Sequence, residues 1–239
     1  MNAPLPREAT EPAARPVAGT KTAGAFLKRS KLADLLRRHT QCEVLFDAAS
    51  RGRYSTDASI YQIEPVGVAI PKTEDDARMA LHIARDLAVP MLPRGGGTSQ
   101  CGQTTGECLV LDNSKYLNQV TGFDQDNQTV TVQPGMVLDH LNAYLKPHGL
   151  WYPVDVSTSA QATLGGMAGN NSCGSRSIAY GNMVHNVLGI DAILADGAEE
   201  YFGAFGTDAT KKLSPRMSLP LCSTRFGRRK KPSLSNTAP

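Results

Sequence analysis

The sequence predicts an α+β fold. Three observations carry the prediction: a β–α–β opening between residues 65 and 94, a hairpin, helix and strand that follow without regular alternation, and two glycine-rich stretches at 93–103 and 163–174. A doubly wound sheet would place a helix between each strand and the next, and this chain does not.

The elements follow in order. Ala25 to His39, "AFLKRSKLADLLRRH", has apolar residues at helical spacing and bases near its end, where they suit the helix dipole. "PVGVAIP" (65–71) reads as a short buried strand between prolines. "TEDDARMALHIARDLAVP" opens on an approximate capping box of Thr73 and Asp76 and ends before Pro90, so it reads as a helix. "VPML" leads into the first glycine stretch as a strand, and "CLVLD" (108–112) leaves it as another. "QVTGFDQDNQTVTVQPG" (119–135) predicts a hairpin turning at Asp126-Asn127. "MVLDHLNAYLKPHG" (136–149) puts Leu138, Leu141 and Leu145 on one helical face, with Gly149 after it. "NVLGIDAILADG" (186–197) reads as a strand ending in a glycine turn.

At 41% hydrophobic and 20% charged, the chain has ordinary globular composition, and no apolar run approaches the ~18 residues of a membrane span. Residues 1–24 are rich in Pro and Ala and are expected to form a disordered arm. The five cysteines include no Cys-x-x-Cys pair, which argues against a zinc site, an iron–sulfur motif or a disulfide framework. Reduced thiols are expected, and with them a cytoplasmic protein, peripheral at the inner membrane at most. The five histidines show no metal-ligand spacing. Eight of the 25 Lys and Arg lie after Asp208 and none of the 22 acids does, so the body is mildly acidic and the basicity belongs to the tail. That tail, 207–239, lacks periodicity and is expected to be disordered. One aromatic residue, Phe226, is too little interleaving to make nucleic acid the expected partner.

The first glycine stretch, "PRGGGTSQCGQ", carries the chemistry. A P-loop needs G-x-x-x-x-G-K-[ST], and in "GTSQCGQT" Gln103 stands where the lysine must be. A dinucleotide fingerprint needs G-x-G-x-x-G, and Gln100 takes its third glycine, with a strand following in place of a long helix. A simple turn needs one glycine, not three. Consecutive amides without Cβ shielding can approach a diphosphate closely, and Thr98 and Ser99 add hydroxyl donors.

Five ordered motifs, "STDASIYQIEPVGVAIPKTEDDA", "PRGGGTS", "VQPGMVLDHLNAYLKPHGLWYPVD", "STSAQATLGGMAGNNSCGSRSIAYG" and "VLGIDAILADG", together resemble the PCMH-type FAD-binding domain of the vanillyl-alcohol-oxidase superfamily. Within it they look like the FAD-linked D-lactate and D-2-hydroxyacid dehydrogenases. The resemblance covers roughly Tyr54 to Phe205 and implies two α+β subdomains sandwiching the cofactor. The expected organisation is a helical segment at 25–60 and the FAD-binding domain at 61–206.

The resemblance also implies roles. Gly95, Gly96, Gly97, Thr98 and Ser99 would wrap the FAD diphosphate through backbone amides, and Arg94 would either join them or pack the loop. Some relatives attach FAD through a histidine at the position of Thr98, so the flavin is expected to be non-covalent. Pro153, Asp155 and Ser159 would begin a second contact region, continued by Thr163, Leu164, Gly165 and Gly166. Asn170, Asn171, Gly174 and Ser175 would lie toward the ribityl or isoalloxazine side. Tyr180-Gly181 would form a tight turn, and Ile190 would offer backbone groups to the adenine edge. The substrate would be a 2-hydroxyacid, and a quinone, cytochrome or flavoprotein would take the electrons. In such enzymes a cap domain with a metal-binding histidine motif handles the substrate, and some continue into an iron–sulfur domain. Recognisable sequence stops near Gly206, so a truncated or frameshifted gene is expected, its product either a non-catalytic remnant or half of a split enzyme with the cap or an iron–sulfur subunit on another chain.

Overall fold

A computed structural model describes residues 19–203, 217–220 and 222–223. Residues 1–18 of the arm expected at 1–24, and the remainder of the expected tail, lie outside these residues; 19–24 are helical, which corrects the arm's boundary.

The first layer holds α1 (Gly19–His39), β1 (Glu43–Leu45), α2 (Ala48–Arg53), β2 (Gly67–Ile70), α3 (Glu74–Asp86), β3 (Met91–Arg94) and β4 (Leu109–Asp112). The strands pair in the order β1-β2-β4-β3. β2, β4 and β3 run parallel, and β1 closes one edge antiparallel. β4 is central and buried along its whole length, the reason "LVLD" shows no polar alternation. One sheet face, Ala69, Leu109 and Leu111, packs under α1 and α3, where Leu32 and Leu36 are fully buried. The other face, Val68, Ile70, Cys108 and Val110, packs with Tyr54, Leu92 and Tyr116. The stretch 25–60 thus supplies one strand and part of the core of this sheet.

The capping box at α3 is complete. Thr73 Oγ1 accepts from the Asp76 amide at 3.1 Å, and Asp76 Oδ2 accepts from the Thr73 amide at 3.0 Å. Asp76 Oδ1 also accepts from the Gln41 amide at 2.8 Å, so one buried carboxylate joins the helix start to the entry of β1. Such a cap contributes about 1 kcal/mol.

The second layer holds β5 (Val120–Asp124), β6 (Thr129–Val132), α4 (Leu138–Leu145), β7 (Leu150–Trp151), α5 (Leu164–Gly169), α6 (Ser177–Tyr180), β8 (Gly189–Ile193), β9 (Glu199–Gly203), β10 (Met217–Pro220) and β11 (Cys222–Ser223). Its main sheet is antiparallel in the order β5-β6-β10-β8-β9. Val130 and Val132 meet Leu138, Leu141 and Leu145 of α4 in its core. In the β5–β6 turn, Asp124 Oδ1 accepts from the Asn127 amide at 2.9 Å, and Gln128 takes the left-handed conformation at φ 53°.

One expectation about the tail is corrected. Met217–Pro220 forms β10 between β6 and β8, and Cys222–Ser223 pairs with β7. Composition could not reveal this, because the strand's partners are two open ladders far away in sequence. An unpaired edge recruits backbone with little regard to side chains.

Side chains of α3 join the two layers. Arg78 Nε lies 2.5 Å from Glu199 Oε1, Arg85 donates to the carbonyl of Asp196, and Gln133 Nε2 donates to Glu74 Oε1 at 3.0 Å.

Candidate functional site

The first glycine stretch leaves the C-terminal end of β3 and meets the second one directly. A Cβ on Gly95 would lie 1.9 Å from Thr163 Oγ1, and one on Gly96 would lie 2.1 Å from the Gln161 carbonyl oxygen. Both separations are far below van der Waals contact, so any side chain would force the loops apart. Gly97 sits at φ 66°, where an L side chain is strained. Among the described residues, no backbone or side-chain acceptor takes the amides of Gly95, Gly96, Gly97, Thr98 or Ser99. Five consecutive donors are left for an anion.

The second stretch is anchored from behind. Leu164 and Gly165 donate their amides to Met136 O (2.8 Å) and Pro134 O (2.9 Å), and Leu164 is fully buried. These two residues build the wall, and their amides are spent on it. Thr163 is buried against Gly95, and Gly166 is exposed. A Cβ on Gly165 would lie 2.7 Å from Pro134 Cβ, so this approach also requires glycine.

Arg94 is occupied. Its Nη1 donates to Tyr54 O at 3.3 Å and Thr104 O at 3.0 Å, its Nη2 donates to Thr56 O at 2.8 Å, and its guanidinium lies 5.2 Å from the Tyr54 ring centroid. Of the two roles open to Arg94, this geometry favours packing the loop. Residues that sequence reasoning missed complete the support. Tyr54 Oη donates to Asp112 Oδ2 at 2.6 Å; burial and then this bond push the phenol well above its ordinary range. Asp57 Oδ2 accepts from the Thr104 amide (3.3 Å) and hydroxyl (3.0 Å). Burial works to raise the Asp57 pKa, but the bonds from Ser59 and Thr104 outweigh it and hold the carboxyl below its ordinary value. No local pattern marks the support that Asp57 and Tyr54 give, because Thr104 and Arg94, which they meet, lie at least 40 residues away.

Pro153 is buried, and Asp155 faces the 174–176 turn. Its Oδ2 accepts from Ser175 Oγ at 2.8 Å and its Oδ1 from the Arg176 amide at 3.1 Å, with Arg176 Nε 3.5 Å away. A Cβ on Gly174 would lie 2.1 Å from Asp155 Oδ1. Burial pushes Asp155 upward, but Ser175 and Arg176 prevail and its pKa is lowered. Asp155, Gly174 and Ser175 therefore bind one another. Ser159 accepts from the Asp139 amide through its carbonyl at 3.2 Å. Asn171, at φ 46°, accepts from the Val184 amide at 3.0 Å, while Asn170 is exposed beside the first loop. Tyr180 packs edge-on to Trp151 at 5.3 Å, and Gly181 makes the turn at φ 79°.

Ile190 departs from its expected role. It lies in β8 with β9 on one side and β10 on the other, so its backbone belongs to the ladders. Its side chain instead lines a 290 Å³ cavity with Pro134, Gly165, Ala168 and Met217. Pro134 also borders a 630 Å³ cavity between the layers, lined by Ala84, Met91, Pro93, Leu111 and Ile193. Pro93 of the first stretch borders the larger cavity, and Gly165 of the second borders the smaller.

The arrangement is a row of amides without protein acceptors at a parallel strand's end, a facing glycine wall and two apolar cavities bordered by Pro93 and Gly165. Residues 65–200, more than half of the chain, match the family described as an FAD binding domain, and the chain belongs to that family. It is 39% identical over 152 residues to D-2-hydroxyglutarate dehydrogenase of Pantoea ananatis, covering 62% of this chain and 15% of the relative. It is 34% identical over 155 residues to the mitochondrial D-lactate dehydrogenase [cytochrome] of Kluyveromyces lactis, covering 63% of this chain and 27% of the relative. Among solved structures, an alkyldihydroxyacetonephosphate synthase superposes with a TM-score of 0.69 at 17% identity, covering 81% of this chain and 40% of that one. The chain therefore spans well under half the length of these proteins. No described helix is long and apolar enough to cross a membrane.

Proposed function

We propose that this chain is the FAD-binding part of a dehydrogenase of D-2-hydroxyacids such as D-lactate or D-2-hydroxyglutarate. The observation that carries the reading is the amide row of Gly95 to Ser99 closed against Thr163 and Gln161. The fit to FAD is good: five donors suit a diphosphate, and the cavity beside Ile190 suits a planar ring.

In this reading Gly95, Gly96, Gly97, Thr98 and Ser99 hold the diphosphate, and Gly166 lets the chain approach it. Arg94, Asp57 and Tyr54 hold the loop in shape. Ile190 gives apolar surface to the adenine end, and Asn170 and Asn171 lie toward the flavin end. Thr98 stands where some relatives carry the attaching histidine, so the cofactor is non-covalent. When bound, FAD supplies hydride acceptance from the carbon bearing the substrate hydroxyl.

Exposed apolar residues flank both loops: Ile60 and Tyr61 on the first side, Ile178 and Val184 on the second. They favour a covering polypeptide, a cap or an iron–sulfur subunit, that holds the 2-hydroxyacid carboxylate. A quinone, cytochrome or flavoprotein takes the electrons, and the protein works in the cytoplasm or at the inner-membrane surface.

A visible spectrum of the purified chain tests the core of the reading. Flavin bands that move to the supernatant on acid precipitation are expected. A folded, colourless chain that takes up no added FAD would overturn it. Little D-lactate turnover with a dye acceptor is expected of the chain alone, and robust turnover would refute the need for a covering polypeptide.

A further inference from the structure

Gln103 is the residue that breaks the P-loop pattern, and the amide row leaves it without a role. The structure gives it specific partners. Ser99 Oγ donates to Gln103 Oε1 at 2.8 Å, and Ser99 Oγ in turn accepts from the amides of Cys101 (3.2 Å) and Gln103 (3.4 Å). Gln103 Nε2 donates to Asn170 Oδ1 at 3.3 Å, and Asn170 Nδ2 donates to Ser172 Oγ at 3.4 Å. This chain of hydrogen bonds runs from the end of the amide row to the second glycine stretch. Gln103 and Asn170 are both exposed.

The two contacts between the loops differ in kind. Gly95 against Thr163 and Gly96 against Gln161 are steric and fixed by backbone. The Gln103–Asn170 contact joins two exposed side chains by one hydrogen bond, which side-chain rotation alone can break. A ligand gripped by the amide row must enter and leave past the side that can open. A lysine at position 103 would place a charge there but could not accept from Ser99 and donate to Asn170 at once. A glutamine amide does both, with one oxygen and one nitrogen on a single planar group.

We infer that Gln103 is a positioning residue that straps the two glycine loops together across the cofactor mouth and slows the departure of bound FAD. This rests on the FAD reading above. The strap sets the rotamers of Ser99 and Asn170 and acts through them.

The test compares FAD release from the full chain and its variants, by dilution of the loaded protein and recovery of flavin fluorescence. Gln103→Ala and Asn170→Ala each release FAD about fivefold faster, the scale of one polar hydrogen bond. The double variant releases no faster than either single one, because both remove the same strap. The melting temperature of the FAD-free chain is unchanged in Gln103→Ala, which separates a strap from a merely structural contact. If the parent loads with FAD and Gln103→Ala releases it at the parent rate, or if the two single effects add, the strap is refuted. If the parent takes up no FAD, the FAD reading itself falls, a result distinguishable from failure of the strap.

Discussion

Replacing Arg94 separates a scaffold from a ligand. In the structure its guanidinium serves three carbonyls, those of Tyr54, Thr56 and Thr104, and lies over the Tyr54 ring. Well-made bonds from a charged donor contribute about 1.5–3 kcal/mol each, but one bond here is long and another lies at the exposed surface, so about 1 kcal/mol apiece is reasonable. The ring contact adds about 0.5 kcal/mol. Arg94→Ala should therefore destabilise the chain by about 3 kcal/mol even without FAD. Arg94→Lys keeps the charge but cannot reach three acceptors from one ammonium, and should lose about 2 kcal/mol. Urea denaturation of the FAD-free proteins measures both, and FAD titration at low and high salt supplies the contrast. If Arg94 instead pairs with the diphosphate, Arg94→Ala will leave the FAD-free stability intact. Affinity will then fall in a salt-dependent way, with Arg94→Lys largely retaining it. That pattern would refute the scaffold argument.

Other consequences are as definite. Gly96→Ala puts a methyl 2.1 Å from the Gln161 carbonyl, so it should cost about 2–3 kcal/mol and abolish FAD uptake, read by flavin fluorescence. The pKa values of Asp57 and Asp155 are lowered in the fold, so the stability they contribute is present above the ordinary carboxylate range and is lost as the pH falls through their folded values. The double variant Asp57→Asn, Asp155→Asn should therefore show a flatter acid limb in melting temperature against pH; an unchanged limb would count against these contacts. Arg78→Ala removes the ion pair with Glu199 that joins α3 to β9 and should cost about 1 kcal/mol, less at high salt, measured by urea midpoints.

Much of the local structure was legible. Thr73 and Asp76 announced α3, and the structure completes their capping box. Alternation in "TVTVQ" announced β6, and its hairpin with β5 forms as expected, though Gln128 takes the left-handed position. These signals lie within a few residues of one another, where spacing alone fixes geometry. Arg94 was less legible, since one arginine beside a glycine loop suits a phosphate or three carbonyls equally. Ile190 was misread because a strand's backbone is spent on neighbours that its own sequence does not name, and β10 was missed for the same reason.

The sequence by itself determined the α+β class, the order of β2, α3, β3, β4, the β5–β6 hairpin, α4 and β8, and the two glycine stretches as the chemically marked segments. Unshielded amides and periodic apolar residues are local facts, and they survive in any fold that contains them. The tertiary structure alone decided that Gly95 meets Thr163, that Gly96 meets Gln161 and that Gln103 reaches Asn170. Each of those contacts joins residues more than sixty apart in the chain. Their distances are set by how two sheets pack, which no residue expresses alone.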